Sequence, residues 1–387
     1  MIFGSNDNVA NYSTFIMDGD IKYTALGADN YAIKVEGNPA NNKNAYGVTV
    51  DIKKGYVYGR YGALFVSGNI KATTGNRPVI KVEKDAELEA DDQCTALTGD
   101  LDPGSGDLKE AAKYYARKTW SDENKWTEPE AKAWAQAYKE SSAAIYGGGV
   151  AEWTINGYVH GGNGLYIKGG KVVLDGARVS ATAAEYHEPI LKSSGFLACG
   201  SAIILDTNAG YAGVDGITIS NSIVTSDNGY AIEEVVTQAG HQSIPDIVIT
   251  SGTFVGGQGA ITTTEGERDK IKNEGTITGG EWHNSNVDQY LDNNHTTLDF
   301  VDGDGKHYQI VVPIKEADWA QSIAAAKVCA EGKKYAYVKA DEIVPAGKTV
   351  VEFVRIAKGT TVTVAAGATL DAGTLMTEGP STASPGG

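Results

Sequence analysis

The sequence predicts a mainly β protein: a right-handed parallel β-helix carrying an inserted helical hairpin and a small C-terminal α+β/β region. Three observations predict it. A glycine-punctuated motif recurs along the chain, the β-rich runs between glycine, asparagine or aspartate are three to five residues long, and 48 of the 387 residues are glycine. That share is about 12%, against ~7% in an average protein. Only 10 prolines accompany it, with 20 tyrosines against 7 phenylalanines, so the chain is not a disordered Gly/Pro-rich polymer.

The motif appears first as Gly55-Tyr56-Val57-Tyr58-Gly59-Arg60-Tyr61-Gly62-Ala63-Leu64. It returns as Gly157-Tyr158-Val159-His160-Gly161-Gly162-Asn163-Gly164-Leu165-Tyr166 and as Gly252-Thr253-Phe254-Val255-Gly256-Gly257-Gln258-Gly259-Ala260-Ile261, with a truncated copy at Gly275–Gly280. Each copy is a short strand, a glycine-permitted turn and another short strand. Runs such as Lys171–Leu174, Gly216–Val224 and Asp246–Ile249 alternate apolar and small polar residues with period two. A sandwich has longer strands and one polar sheet face, whereas strands this short suit stacked coils with a shared interior.

Residues 1–100 are therefore expected to form N-terminal solenoid rungs, and residues 150–297 the central β-helix. Between them, residues 101–149 form the helical insertion. Asp107/Glu110 and Thr127/Glu130 fit capping boxes, Ala131, Trp134, Ala135 and Tyr138 make one apolar stripe, and Gly147-Gly148-Gly149 ends it. Trp120, Trp126 and Trp134 are its expected docking seam. Residues 298–376 hold a hairpin around Asp302-Gly303-Asp304-Gly305, a helix from Asp318 to Glu331, and a β stack opened by Gly347, Gly359 and Gly367. Residues 377–387 resemble linker.

Charge narrows the partners. Lysine plus arginine total 33 and aspartate plus glutamate 49, a net charge of −16, so nucleic acid and anionic membrane surfaces are poor partners. No apolar run approaches the ~18 residues of a spanning helix. Cys94, Cys199 and Cys329 form no CxxC or Cys/His cluster, which predicts idle thiols and neither a disulfide framework nor a zinc site. The first residues lack the basic and apolar regions of a Sec signal peptide.

The repeated G-Y-V-x-G-x-x-G units, the Gly275–Leu291 stretch and the A-G-K-T-V/A-G-A-T-L series resemble β-helical repeats of large surface proteins of gut bacteria, and fibre or decoration proteins of their phages. The resemblance spans about two-thirds of the chain and specifies fold more than function. It implies elongated, non-catalytic projections that touch glycans or other surface molecules.

Chemistry is sparse. Polygalacturonase-like enzymes on this fold carry N-x-D, Asp-Asp, G-H-G and R-I-K elements. Here Asp91-Asp92, His160-Gly161 and Arg355-Ile356-Ala357-Lys358 approximate them only in part and in the wrong order. His160 stands where sister repeats carry Tyr58 and Val255, the pattern of an outward rung side chain. Asp302–Gly305 fails the EF-hand spacing and reads as a turn. No catalytic, metal or cofactor residues are assigned. Tyr56, Tyr58, Tyr158, Tyr166 and Trp282, near glycine turns, are the candidate sugar-stacking platforms. The leading expectation is a phage virion fibre or capsid-decoration protein, non-enzymatic and homo-oligomeric, with a trimer favoured. The absent leader and free thiols suit assembly in the host cytoplasm. A cell-surface adhesin ectodomain and a polysaccharide depolymerase are the alternatives.

Overall fold

The computed structural model describes residues 1–4, 13–25, 31–36, 47–68, 70, 77–92, 142–187, 199–208, 211–238, 247–263, 275–315, 318–328 and 335–377. Strands dominate these residues, and the pairing is overwhelmingly parallel. A fifteen-stranded and an eight-stranded sheet take the strands from Ile2–Gly4 to His307–Pro313, and a three-stranded and a two-stranded sheet take those from Tyr335–Val338 to Ala368–Thr377.

The glycine motif is the joint between the two large sheets. In the first copy, strand Thr49–Gly59 lies in the fifteen-stranded sheet and Gly62–Val66 in the eight-stranded one. Tyr158–Gly161 and Asn163–Ile167 repeat this, as do Gly252–Gly256 and Gly259–Thr263. Glycine is required at this corner because the chain turns against itself. A Cβ on Gly256 would lie 1.9 Å from the Gly259 carbonyl oxygen, and one on Gly59 2.1 Å from that of Gly62.

Period-two alternation then sorts the side chains. In the eight-stranded sheet Ile33, Leu64, Ile145, Leu165, Ile203, Ile232 and Ile261 pair in one continuous register. In the fifteen-stranded sheet Val57, Leu88, Val159, Val179, Val224, Phe254 and Trp282 do the same, and so do Ile80, Trp153, Val172, Ile217 and Ile247. All are buried in one core. Like residues stack on like because parallel strands at ~4.8 Å spacing place equivalent positions directly over one another. The parallel sheets follow the sequence expectation.

Residues 101–141 of the expected insertion, with Trp120, Trp126 and Trp134, lie outside the described residues. Its expected C-terminal end is corrected: Ala143–Gly147 is a strand of the eight-stranded sheet, buried throughout. Ala-Ala-Ile-Tyr is apolar at every position, which suits a strand covered on both faces as well as it suits a helix stripe.

The hairpin forms as expected, His295–Val301 against His307–Pro313, with Val301 facing His307. The Asp302 carboxylate accepts the backbone N–H groups of Asp304 and Lys306, which holds it below the usual carboxylate range. The following helix starts later than expected, at Ile323, and runs through Val328, the last described residue before Tyr335. It starts late because Ser322 caps Ala325, while Glu342 accepts from the Ile323 and Ala324 amides. Trp319, expected on the helix, instead packs with Ile310, Tyr335 and Phe353. The C-terminal strands Tyr335–Val338, Gly347–Ile356 and Ala368–Thr377 pair in parallel over a second core.

Candidate functional site

The outward side of the fifteen-stranded sheet gathers chemistry that is far apart in sequence. Two ladders run across it, one on either side of the buried Val57–Leu88–Val159 column. The first joins Lys22, Tyr56, Glu87, Tyr158 and Arg178; the second joins Thr24, Tyr58, Glu89, His160 and Ser180. Alternation puts every member of both on the face opposite the core.

The side chains interlock. The Lys22 ammonium lies 4.7 Å from the Tyr56 ring centre, and the Arg178 guanidinium 4.5 Å from that of Tyr158. The Tyr158 ring stacks on His160 with centroids 4.2 Å apart. Tyr56 donates its hydroxyl to Glu89 at 2.5 Å, and Tyr58 donates to Asp91. Partial burial, then the bond to Glu89, raises the Tyr56 hydroxyl well above its ordinary value; burial and Asp91 push Tyr58 up to about 12. Both hydroxyls therefore remain donors at neutral pH.

His160 Nε2 lies 2.9 Å from Glu87 Oε1 and 3.9 Å from Glu89 Oε2. One ligand atom from each of these three residues falls within 4.8 Å of the others. The histidine side chain is 14% exposed, and the glutamates 43% and 32%. One imidazole nitrogen with two carboxylate oxygens is a donor set that zinc accepts, and solvent reaches its open side. Asp91 and Asp92 belong to this neighbourhood too. Gly162 donates to the Asp91 carbonyl and Thr182 donates to the Asp92 carboxylate, which ties both aspartates to the strands after the second motif copy begins.

Of the sugar-stacking candidates, Tyr56, Tyr58 and Tyr158 are brought together on this face. Tyr166 and Trp282 are not. Both are fully buried, Tyr166 on the opposite side of the eight-stranded sheet from the main core and Trp282 stacked on Phe254 inside it. Neither ring presents a face to a ligand. Being near a glycine turn decides neither: strand parity turns Trp282 inward, whereas Tyr166 points away from the main core and is covered by Tyr146, Ile204 and Val235. His160 is an outward ladder residue in register with Glu89 and Ser180, and Val255 follows on the same ladder. Arg355 lies in the three-stranded sheet with its guanidinium over Tyr337, in a different sheet from His160.

Glu87 and Glu89 were missed in the sequence. Their signal was the alternation in Glu87-Leu88-Glu89, which reads as an ordinary half-exposed strand until its register neighbour is known. The thiol expectation needs correction as well: Cys199 is disulfide-bonded, and its partner lies outside the described residues. Sequence spacing alone could not reveal a bridge between cysteines this far apart.

No protein-family model, no curated protein and no solved structure matches this chain. No helix among the described residues is long and apolar enough to cross a membrane.

Proposed function

We propose that the stacked strands form a right-handed parallel β-helix serving as a rigid, non-catalytic projection at an exterior surface, its tyrosine and carboxylate strip contacting glycans. The observation that carries this reading is the co-alignment of Tyr56, Tyr58 and Tyr158 with Glu87, Glu89, Asp91 and Arg178 on one outward face. Aromatic faces with hydrogen-bonding carboxylates and a guanidinium suit the apolar faces and hydroxyl edges of sugar rings. Right-handedness follows from the strong preference of parallel crossovers.

The Cys199 disulfide favours an oxidising location, which puts a bacterial cell-surface adhesin ectodomain ahead of a phage fibre or decoration protein. Such projections assemble around an axis, and we expect a homotrimer. Binding of host-surface polysaccharides, measured by calorimetry on the wild-type and Tyr158→Ala chains, tests the glycan reading. We expect binding that drops at least tenfold in the variant; equal binding, or none to any surface polysaccharide, overturns it. Gold labelling on cells and on phage particles separates the two carriers.

One observation favours a second reading, a polysaccharide depolymerase. Glu87 and Glu89 place carboxylate oxygens within 4.8 Å of each other beside His160. A retaining glycosidase holds its two carboxyl groups ~5 Å apart. Release of reducing ends that disappears in Glu87→Gln or Glu89→Gln would favour this enzyme over the passive projection.

A further inference from the structure

The outer side of the eight-stranded sheet carries an ion pair that no proposed function uses. Ile167 and Leu205 pair in register and point into the core, so the next residues, Lys168 and Asp206, stand side by side facing away from it. Both side chains are 0% exposed, with Lys168 Nζ 2.9 Å from Asp206 Oδ2. Short as that approach is, the ammonium has no hydrogen-bond partner of good geometry among the described residues. Around it are rings: Tyr211 with its centre 4.5 Å from Nζ, and Tyr166 at 5.2 Å. Tyr166 donates its hydroxyl to the same Asp206 Oδ2 at 3.0 Å, and Tyr146 donates to the Tyr211 hydroxyl at 3.1 Å. Space for Tyr211 comes from Gly68 and Gly148, whose added Cβ atoms would lie 2.8 and 3.1 Å from its ring.

A buried ion pair is costly when its ammonium is not hydrogen-bonded, because the lost hydration is not replaced. In a dry site the neutral pair, amine and carboxylic acid, is one proton transfer away and avoids the isolated charges. A neutral amine held against a carboxyl carbon is a nucleophile beside its electrophile.

We infer that Lys168 and Asp206 condense to an intramolecular isopeptide bond joining neighbouring strands. One ammonium proton passes to the Asp206 carboxylate. The Nζ lone pair then attacks Cγ, forming the C–N bond and a tetrahedral centre whose oxygen the Tyr166 hydroxyl hydrogen-bonds. The C–O bond breaks, the hydroxyl takes a second proton from nitrogen, and water leaves. The product is a neutral amide bearing one N–H, and no oxidant or co-reactant is consumed. In water such a condensation is unfavourable. Here fixed juxtaposition supplies an effective concentration that reaches ~10^5 M or more in well-oriented intramolecular reactions, and the departing water has no solvent phase around it. Tyr166 is a positioning residue in this scheme and Asp206 is consumed by it. The inference is independent of whether the protein binds glycans.

Intact-mass spectrometry of the folded full chain, denatured and reduced before injection, tests it. The expected mass is one water below the sequence mass, and digestion should yield a branched peptide containing Lys168 and Asp206. Lys168→Ala and Asp206→Ala should each restore the mass expected for the substituted sequence. Because either change can unfold the chain, Tyr166→Phe provides the second arm. It should fold with unchanged circular dichroism but complete the bond at least tenfold more slowly, visible as a time-dependent mixture of the two masses. A wild-type mass equal to the sequence mass, with linear Lys168 and Asp206 peptides after prolonged incubation, overturns the bond. Equal rates in wild type and Tyr166→Phe overturn the part assigned to the tyrosine.

Discussion

The two large sheets share one interior but use their outer faces in opposite ways. Around the outward tyrosines of the fifteen-stranded sheet, ionisable side chains pair at the surface, where each keeps partial access to water. In the middle of the eight-stranded sheet, strands Ala143–Gly147, Asn163–Ile167 and Ile203–Asn208 are buried on both faces. The same kinds of residue, tyrosine, lysine and carboxylate, therefore have different consequences on the two sides. At the surface an ion pair contributes little and remains free to exchange partners for a ligand. In the dry interior it must be satisfied, neutralised or joined. The same repeat geometry thus leaves polar side chains partly hydrated on one side and encloses them on the other.

Four measurements sharpen this contrast, beginning with the largest effect. Tyr166→Ala removes a buried ring and leaves Asp206 without its hydroxyl donor, and should cost about 3–5 kcal/mol in denaturant unfolding. If the loss stays under ~1 kcal/mol, the buried face is not as closely packed as described. Gly256→Ala probes the corner between the sheets. Its methyl group collides with the Gly259 carbonyl, so about 1–3 kcal/mol should be lost through backbone displacement. A neutral result would mean the corner relaxes freely.

Alkaline titration separates the strip from the core. Tyr58 holds its proton up to about 12 in the folded state because of burial and Asp91, against about 10 when unfolded. Its raised value means the associated stability is fully present below about pH 10 and is lost as pH rises toward 12. Partial solvation limits the loss to about 1–2 kcal/mol. Comparing unfolding midpoints of wild type and Tyr58→Phe between pH 8 and 12 should show the wild type falling more steeply; parallel curves would count against the Asp91 bond.

The smallest expected effect is that of Tyr158→Ala on stability. It loses only the contacts to His160 and Arg178, about 0.5–1 kcal/mol. A cost as large as that of Tyr166→Ala would erase the distinction between the faces.

Much of the architecture was legible because its causes are local. A glycine forced by a close carbonyl, a β-branched residue facing inward and an Asp-Gly turn each act within a few residues, so the corners and the hairpin at Asp302 could be read directly, whereas strands such as Thr49–Gly59 outrun the expected three to five residues. The helix after Asp318 was legible in kind but not in its start, since Glu342, far along the chain, supplies the carboxylate that sets it. Ala143–Gly147 was misassigned because an apolar run carries no period to choose between strand and helix. Within the candidate site, Tyr56, Tyr58 and Tyr158 were found by motif. Glu87 and Glu89 were not, and neither was burial: Trp282 points into the main core, while Tyr166 points away from it and is covered there.

By itself, then, the sequence determined a parallel, glycine-jointed β chain with an acidic surface, because turn sterics and alternation are properties of neighbouring residues. Only the tertiary structure decided that His160 meets Glu87, that Lys168 meets Asp206, and that Cys199 is bridged. Those meetings depend on how many residues each loop spends before the chain returns to the next strand, a length that no local pattern encodes.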